Sequence, residues 1–394
     1  MKTTTGSSRE PPAALARRTS HPERCGVATA SGFVMPAVAG DGPATLECTE
    51  AVLAIAAHFN AAGVTLVALP SVSIVVEMEN IKTVEPDLLG VVLESLAAQL
   101  KPHLGALPRP PQIIFSYPGQ PDEREEVLHR IRRDGPGLAA MDLDAVGTPD
   151  GRYYEMKNAG AARADGGILI FVDSDVELAD GWLGKLLEPF NDATTMAVSG
   201  HTFLRHDNFA SRTLALIWIF ALERGDDREA ARRSINANNA AFRLDWFRSV
   251  GGFPYDPGFK VSCALLYYRL RQQGLDCVRA DARARHEPLR GWRFLLWRAA
   301  VTGRDADRKY RLMKSPSRAR RLRHAGSRWG TMLWRSTRRI LGKRKIVGLP
   351  LWQVPAALLM GWGFYSIAFV NQAASAIGLF GNAVEHVPDY AEVH

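Results

Sequence analysis

The stretch Gly167-Ile168-Leu169-Ile170-Phe171-Val172-Asp173-Ser174-Asp175 constrains the fold of this chain more than any other. Five consecutive large apolar residues predict a strand buried on both faces, and a strand covered on both sides belongs to a sheet sandwiched between helices. It ends in two carboxylates one residue apart. At the carboxyl end of a strand in an α/β sheet, side chains project into the crevice where ligands bind. A D-S-D triplet there can hold a hard divalent cation, with water and diphosphate oxygens as the remaining ligands. The competing, purely structural reading makes Asp173 or Asp175 the N-cap of a helix over residues 178–190.

Alternation of short strands and helices continues on both sides of this run. The pattern predicts strands at 72–76, 113–116 and 141–146, and helices over 85–100, 121–133 and 153–164. Beyond the triplet it predicts a strand at 196–202 and helices near 211–223 and 264–273. Asn236-Ala237-Asn238-Asn239 reads as a polar turn and Gly251-Gly252-Phe253-Pro254 as a loop. The expected class is therefore α/β, a mostly parallel sheet flanked by helices. Residues 1–45, rich in Thr, Ser, Pro and Gly, read as a disordered segment with no signal-peptide core. A helix leading from Glu47 into the first strand is preferred over a membrane span there, because Pro70 interrupts the apolar run.

Charge is distributed unevenly. Residues 288–345 hold 19 Lys and Arg against two acids, Asp305 and Asp307, so this segment alone carries +17 of a chain whose net charge is +8. The pI of 9.4 thus describes one basic segment and not the body, which is acidic. Residues 346–384 then contain no charge at all, enough for one tilted membrane helix over 358–380 after a Pro-broken interfacial piece around Trp352. Arginines interleaved with Trp292, Trp297, Trp329 and Trp334 next to an apolar segment fit an anionic membrane surface better than nucleic acid. The basic side precedes the apolar segment and an acidic tail, 385–394, follows it, so the body is expected on the cytoplasmic side. Four cysteines without a C-x-x-C pair exclude a disulfide framework or a zinc site as the organising device.

Upstream of the triplet lies Tyr154-Glu155-Met156-Lys157-Asn158-Ala159-Gly160, and downstream Ala179-Asp180-Gly181-Trp182. Together with the apolar strand and its D-x-D, this resembles the family 2 glycosyltransferases of GT-A fold. Weaker matches follow in order: Asn80 after the first strand, Asn238/Asn239, Gly251-Gly252-Phe253, and Ala284-Arg285-His286-Glu287. The resemblance covers about 71–287 and divides the chain into a GT-A domain (46–287), a basic helical segment (288–345) and a hydrophobic membrane element (346–384). It implies transfer of a sugar from a UDP- or GDP-type donor, usually with inversion, assisted by Mg²⁺ or Mn²⁺. The metal would be held by Asp175 and Asp173 with His286 as a further ligand. Lys157, Asn158, Asp173, Glu77 and Asn239 are the expected substrate-binding residues.

Three departures stand out. The first strand ends in Glu77-Met78-Glu79-Asn80 where the family has a Pro-Thr type of turn, and the second ends in Ser116-Tyr117-Pro118-Gly119 where it has acids. Ser262-Cys263 occupies the place of the family's Glu-Asp pair, whose Asp is the general base. Cys263 stands at the position of the base, but a neutral thiol is a poor one, and Asp256 or a carboxylate of the Glu77/Glu79 strand end are the candidates to substitute for it. The processive Q-x-x-R-W motif is missing, so single addition to a lipid-linked or polysaccharide acceptor of the cell envelope is expected. The rival expectation is a catalytically silent membrane protein of the same fold that binds nucleotide sugar or scaffolds glycan assembly.

Overall fold

The chain divides into two compact units, Met1–Leu66 and Val67–His394. The computed structural model describes residues 69–79, 86–149, 151–218, 220–223, 235–254, 260–287 and 291–379, all within the second unit. The segments expected at 1–45 and 385–394, the helix expected from Glu47, Asn80 and Asp256 lie outside the described residues.

Among the described residues, eight strands form one sheet in the order β3-β2-β1-β4-β7-β6-β8-β5. These are β1 (Val72–Glu77), β2 (Gln112–Tyr117), β3 (Asp142–Gly147), β4 (Ile168–Asp173), β5 (Val176–Leu178), β6 (Ala197–Leu204), β7 (Asn239–Arg243) and β8 (Cys277–His286). β3, β2, β1 and β4 run parallel. β7 is antiparallel to both β4 and β6, β8 is parallel to β6, and β5 is antiparallel to β8. The sheet is thus mixed, with its parallel half on the N-terminal side.

β1 and β4 are buried along their whole length, as the apolar run requires. Alternate residues enter two cores. Ile74, Val76, Ile170 and Val172 pack with Leu89, Leu93 and Leu96 of α1 (Pro86–Leu100) and Leu128 and Ile131 of α2 (Arg124–Asp134). Val75, Leu169 and Phe171 pack on the other face with Tyr154 and Ala161 of α3 (Tyr153–Arg163), Phe247 of α6 (Leu244–Ser249), and Leu266 and Leu270 of α7 (Ser262–Gln272). Gly160 allows α3 to lie against β1, since a Cβ there would sit 2.5 Å from Val75 Cγ1.

The helix expected directly after the D-S-D does not begin there. β5 comes first, and α4 (Trp182–Leu187) starts behind Gly181 in the left-handed conformation. Neither Asp173 nor Asp175 is therefore a helix cap. The segment expected as a polar turn runs directly into β7, and β8 extends over ten residues where only its last were anticipated. Its Arg-Ala alternation points small residues inward, so the pattern lacks the bulky apolar signature by which strands are read.

The basic segment is two long helices, α8 (Trp292–Lys314) and α9 (Arg318–Lys343). They pack with α5 (Phe209–Ile217) and α10 (Val354–Ile377) around a third core that includes Leu216, Ala299, Ile340 and Phe364. Pro355 falls in the first turn of α10, where its missing N–H costs nothing, so it starts the helix instead of breaking it. At Gly303 a Cβ would collide with the Ala368 carbonyl, which marks the close approach of α8 to α10. Arg321 of α9 donates from Nε to Asp307 of α8 at 2.8 Å and from Nη2 to the Ser375 carbonyl of α10 at 2.9 Å. Ser375 Oγ donates to Asp307 at 2.8 Å, so one buried ion pair ties three helices.

Candidate active site

Strands β2 and β3 step away from β1 on one side, while β4 lies on the other. The carboxyl ends of β1 and β4 are consequently a topological switch point, where open α/β sheets form their ligand crevices. Their register places Glu77 opposite Asp173. A cleft of about 200 Å³ opens there, lined on its floor by Asp173, Asp175 and His286 and on its walls by Glu79, Lys260, Cys263, Trp218, Trp297 and Arg298, among others.

Asp173 is held from beneath. Lys157, with no exposed surface, donates from Nζ to Asp173 Oδ1 at 2.6 Å, and Tyr153 donates its hydroxyl to the same carboxylate at 3.0–3.1 Å. Tyr153 and Lys157 are four residues apart, one turn of α3, and so share the helix face that looks at the strand end. The ammonium also lies 4.5 Å from the Tyr153 ring centre. Glu77 is likewise buried; burial, reinforced by the charge of Asp173, pushes its carboxyl well above the usual range.

Asp175 and His286 are brought together by β5 and β8. The Glu287 N–H donates to the Asp175 carbonyl at 3.0 Å, and β8 places His286 opposite Val176. His286 Nδ1 lies 2.9 Å from the Glu287 carbonyl and Nε2 3.6 Å from Asp175 Oδ1. With Nδ1–H given to that carbonyl, Nε2 keeps its lone pair on the Asp175 side, the tautomer a metal ligand needs. One ligand atom from each of Asp173, Asp175 and His286 lies within 4.8 Å of the others. Two carboxylates and an imidazole suit Mn²⁺ or Mg²⁺ far better than soft metals. The donor set fits such a cation.

Other expected site residues sit elsewhere. Both ends of the Asn158 carboxamide are taken by the backbone of Phe253, at 2.8 and 2.9 Å, which clamps the Gly251-Gly252 turn to α3. Gly252 has a positive φ of 69° and a Cβ there would press on Asn158 Oδ1, so the turn needs glycine. Asn239 is fully buried, accepting from Trp182 Nε1 at 2.9 Å and donating to the Ala282 carbonyl at 2.9 Å. Its neighbour Asn238 is the one that lines the cleft. Glu77 is enclosed below the floor. Lys157 acts on Asp173 and does not line the cleft.

Ser262 and Cys263 begin α7. Ser262 donates to the Pro254 carbonyl at 2.6 Å, and Cys263 lines the cleft, accepting from the Tyr154 hydroxyl at 3.2 Å. Burial pushes the Cys263 thiol up, so it stays protonated at neutral pH and does not serve as a base. Among the described residues, the carboxylates lining the cleft are Glu79, Asp173 and Asp175. Glu79 pairs with Lys260 at 3.1 Å. The i, i+4 spacing to Lys157 was the available signal for Tyr153. No local pattern linked Lys260, Trp218, Trp297 or Arg298 to the site, because they reach it from three separate elements.

Residues 84–251 match the model of the glycosyl transferase family 2. No curated protein sequence matches the chain. Among solved structures, it is similar to a mannosyltransferase from Pyrobaculum calidifontis in complex with GDP-Man and Mn²⁺, at 18% identity over 87% of this chain and 89% of that one, with a TM-score of 0.44. It is also similar to glucosyl-3-phosphoglycerate synthase from Mycobacterium tuberculosis in complex with Mn²⁺, UDP and phosphoglyceric acid, at 17% identity over 61% of this chain and 78% of that one, with a TM-score of 0.40.

Proposed function

We propose that this chain, which carries a family 2 glycosyltransferase domain over residues 84–251, moves a sugar from a UDP- or GDP-type donor to an acceptor delivered at a membrane surface. The observation that carries the reading is the convergence of Asp173, Asp175 and His286 on the floor of the switch-point cleft. Mn²⁺ or Mg²⁺ held by these three residues would supply positive charge to a departing nucleoside diphosphate. Lys157 and Tyr153 keep the Asp173 carboxylate aimed and partly neutralised. The remaining wall, from Lys260 to Arg298, faces the acceptor. A single displacement with inversion, adding one sugar, fits a chain without the processive motif.

Purified full-length protein given a panel of UDP- and GDP-sugars with Mn²⁺ tests this. Release of nucleoside diphosphate that is abolished in Asp175→Asn supports it. The protonated thiol of Cys263 favours a second reading, a nucleotide-sugar binder without turnover. That reading requires tight Mn²⁺-dependent binding of one donor with no release under any acceptor.

The membrane role is part of the proposal, in a revised form. The helix Leu351–Ile377 is long and apolar enough to cross a membrane by length and composition, and only 28% of its most apolar window is buried. Yet α9 accompanies α10 along most of its length. Arg321 meets Ser375, Trp329 Nε1 donates to Ser366 at 3.3 Å, and Trp362 Nε1 donates to Thr337 at 2.9 Å. Nine Lys and Arg sit on α9. A spanning α10 would draw them into hydrocarbon at about 2.5–3.5 kcal/mol each near the centre. An in-plane placement avoids that cost, with Leu351, Trp352, Leu359, Trp334 and Leu341, all exposed, in the acyl boundary and the arginines among anionic headgroups of the cytoplasmic leaflet. Flotation with anionic vesicles should retain the protein, and Trp352→Ser with Leu359→Ser should release it. Retention on neutral vesicles after alkaline carbonate extraction would instead mark a spanning helix.

A further inference from the structure

The wall of the cleft formed by α8 and by Trp218, just past α5, contains hydrogen-bond donors that find no acceptor among the described residues. The Nε1–H groups of Trp218 and Trp297 and the Nε–H of Arg298 are buried and make no hydrogen bond among the described residues. Buried donors without acceptors cost free energy, and three in one cleft wall call for a shared acceptor. The Arg298 guanidinium stacks over the Trp218 ring at 5.3 Å, and the Lys260 ammonium lies 5.6 Å from the Trp297 ring. Two cations and two indoles therefore form one continuous surface. The acid beside them, Asp305, accepts the Lys260 backbone N–H at 3.0 Å. Arg298, Trp218 and Trp297 line the same cleft as Asp173, Asp175 and His286.

Building on the glycosyltransferase reading, we propose that this wall binds a phosphate monoester of the acceptor, and that a phosphate oxygen is the nucleophile. A phosphate offers enough oxygen lone pairs to satisfy the two indole N–H groups and the guanidinium together. The chemistry balances without a general base. A phosphate oxygen of the dianion forms the new bond to the anomeric carbon, and the bond from that carbon to the donor's β-phosphate oxygen breaks. The electron pair leaves with the nucleoside diphosphate, and the acceptor becomes a phosphodiester monoanion; no proton moves. A protonated Cys263 at the head of α7 is then no handicap. A hydroxyl acceptor would instead need a base, and among the described cleft carboxylates Glu79 is the one left for that task.

Tryptophan fluorescence of the full-length protein, titrated with inorganic phosphate and with decyl phosphate in the presence of Mn²⁺, tests the site, since two of its donors are indoles. Both probes should bind. Arg298→Gln should weaken them at least tenfold, and Trp297→Phe, which keeps the ring and removes the N–H, about threefold. Mn²⁺·UDP and Mn²⁺·GDP affinities, read by calorimetry, should stay unchanged. Tighter binding of decyl phosphate marks a lipid-borne phosphate and equal binding a soluble ester; either supports the site. Phosphate affinity unchanged in both variants overturns the inference and leaves the donor reading standing. Loss of Mn²⁺·nucleotide affinity in Arg298→Gln would also overturn it, by giving the guanidinium to the donor diphosphate. A wild-type protein that binds neither Mn²⁺·nucleotide removes the underlying reading itself.

Discussion

Replacing Lys157 with Met keeps the length and most of the volume of the side chain but removes the charge beneath the cleft. The ammonium has no exposed surface and lies 2.6 Å from Asp173 Oδ1. At that separation, with an effective dielectric of about 20, the Coulomb attraction is about 6 kcal/mol. Part of it is offset, because the variant no longer desolvates an ammonium. Breaking a buried pair by removing one partner typically costs about 3–5 kcal/mol. The upper end of that range is expected here. Glu77 stands in register with Asp173 and is itself buried, so the variant leaves two carboxyl groups side by side without a cation. Against a typical domain stability of about 5–15 kcal/mol, the loss is large. Urea unfolding of EDTA-treated protein at pH 7.5, followed by circular dichroism, measures it. The double variant Lys157→Met/Glu77→Gln should recover about 1–2 kcal/mol, because Gln removes the cost of burying or protonating the Glu77 carboxyl beside Asp173. A loss under about 1 kcal/mol, or no recovery in the double variant, refutes the account of Lys157 as the counter-charge of the strand ends.

Gly303→Ala should lower stability by about 1–3 kcal/mol, because the added methyl meets the Ala368 carbonyl and pushes α8 from α10; an unchanged melting temperature would contradict that contact. Burial raises the Asp305 carboxyl from 3.8 to about 6. Its folded-state preference for the proton therefore stabilises the protein below about pH 4 and is lost as pH rises through 6. Asp305→Asn, which keeps an acceptor for the Lys260 amide, should accordingly gain stability relative to wild type between pH 4 and pH 7, and a pH-independent difference would disprove the assignment. Cys263, with its thiol pushed up by burial, should react with iodoacetamide at pH 7.5 much more slowly than a free cysteine, measured by peptide mass spectrometry; reaction at the free rate would show a thiolate.

The parallel half of the sheet was legible because long apolar runs and amphipathic helices carry their own period. The candidate metal edge could be picked out for a related reason: carboxylates at the end of a buried strand are costly unless something uses them, which singles out Asp173 and Asp175 as candidates. His286 was reachable only through the family pattern, since β8 hides its strand character behind small inward residues. Asn158 and Asn239 carried the same pattern but spend their amides on the backbone of Phe253 and on Trp182 and Ala282. No composition or spacing rule distinguishes an Asn that binds a ligand from one that clamps a turn. The opposite wall was illegible for a different reason. Lys260, Trp218 and Arg298 are separated by tens of residues, and only the packing of α8 against the sheet domain brings them to one surface.

That packing has a consequence for how the protein must be handled. Helix α8 presents Phe294, Trp297 and Arg298 to the cleft and leaves Trp292 and Leu296 exposed on its other side. Through Asp305 it also grips the backbone of Lys260. In the proposed in-plane placement, the pocket wall and the footing on a lipid surface would be two faces of one helix. On that placement, detergent extraction would replace a flat, charged boundary with a curved and neutral one beneath that helix. Acceptor affinity measured in micelles would then report the micelle as much as the enzyme, and nanodiscs of defined anionic content are the medium in which its selectivity becomes a property of the protein.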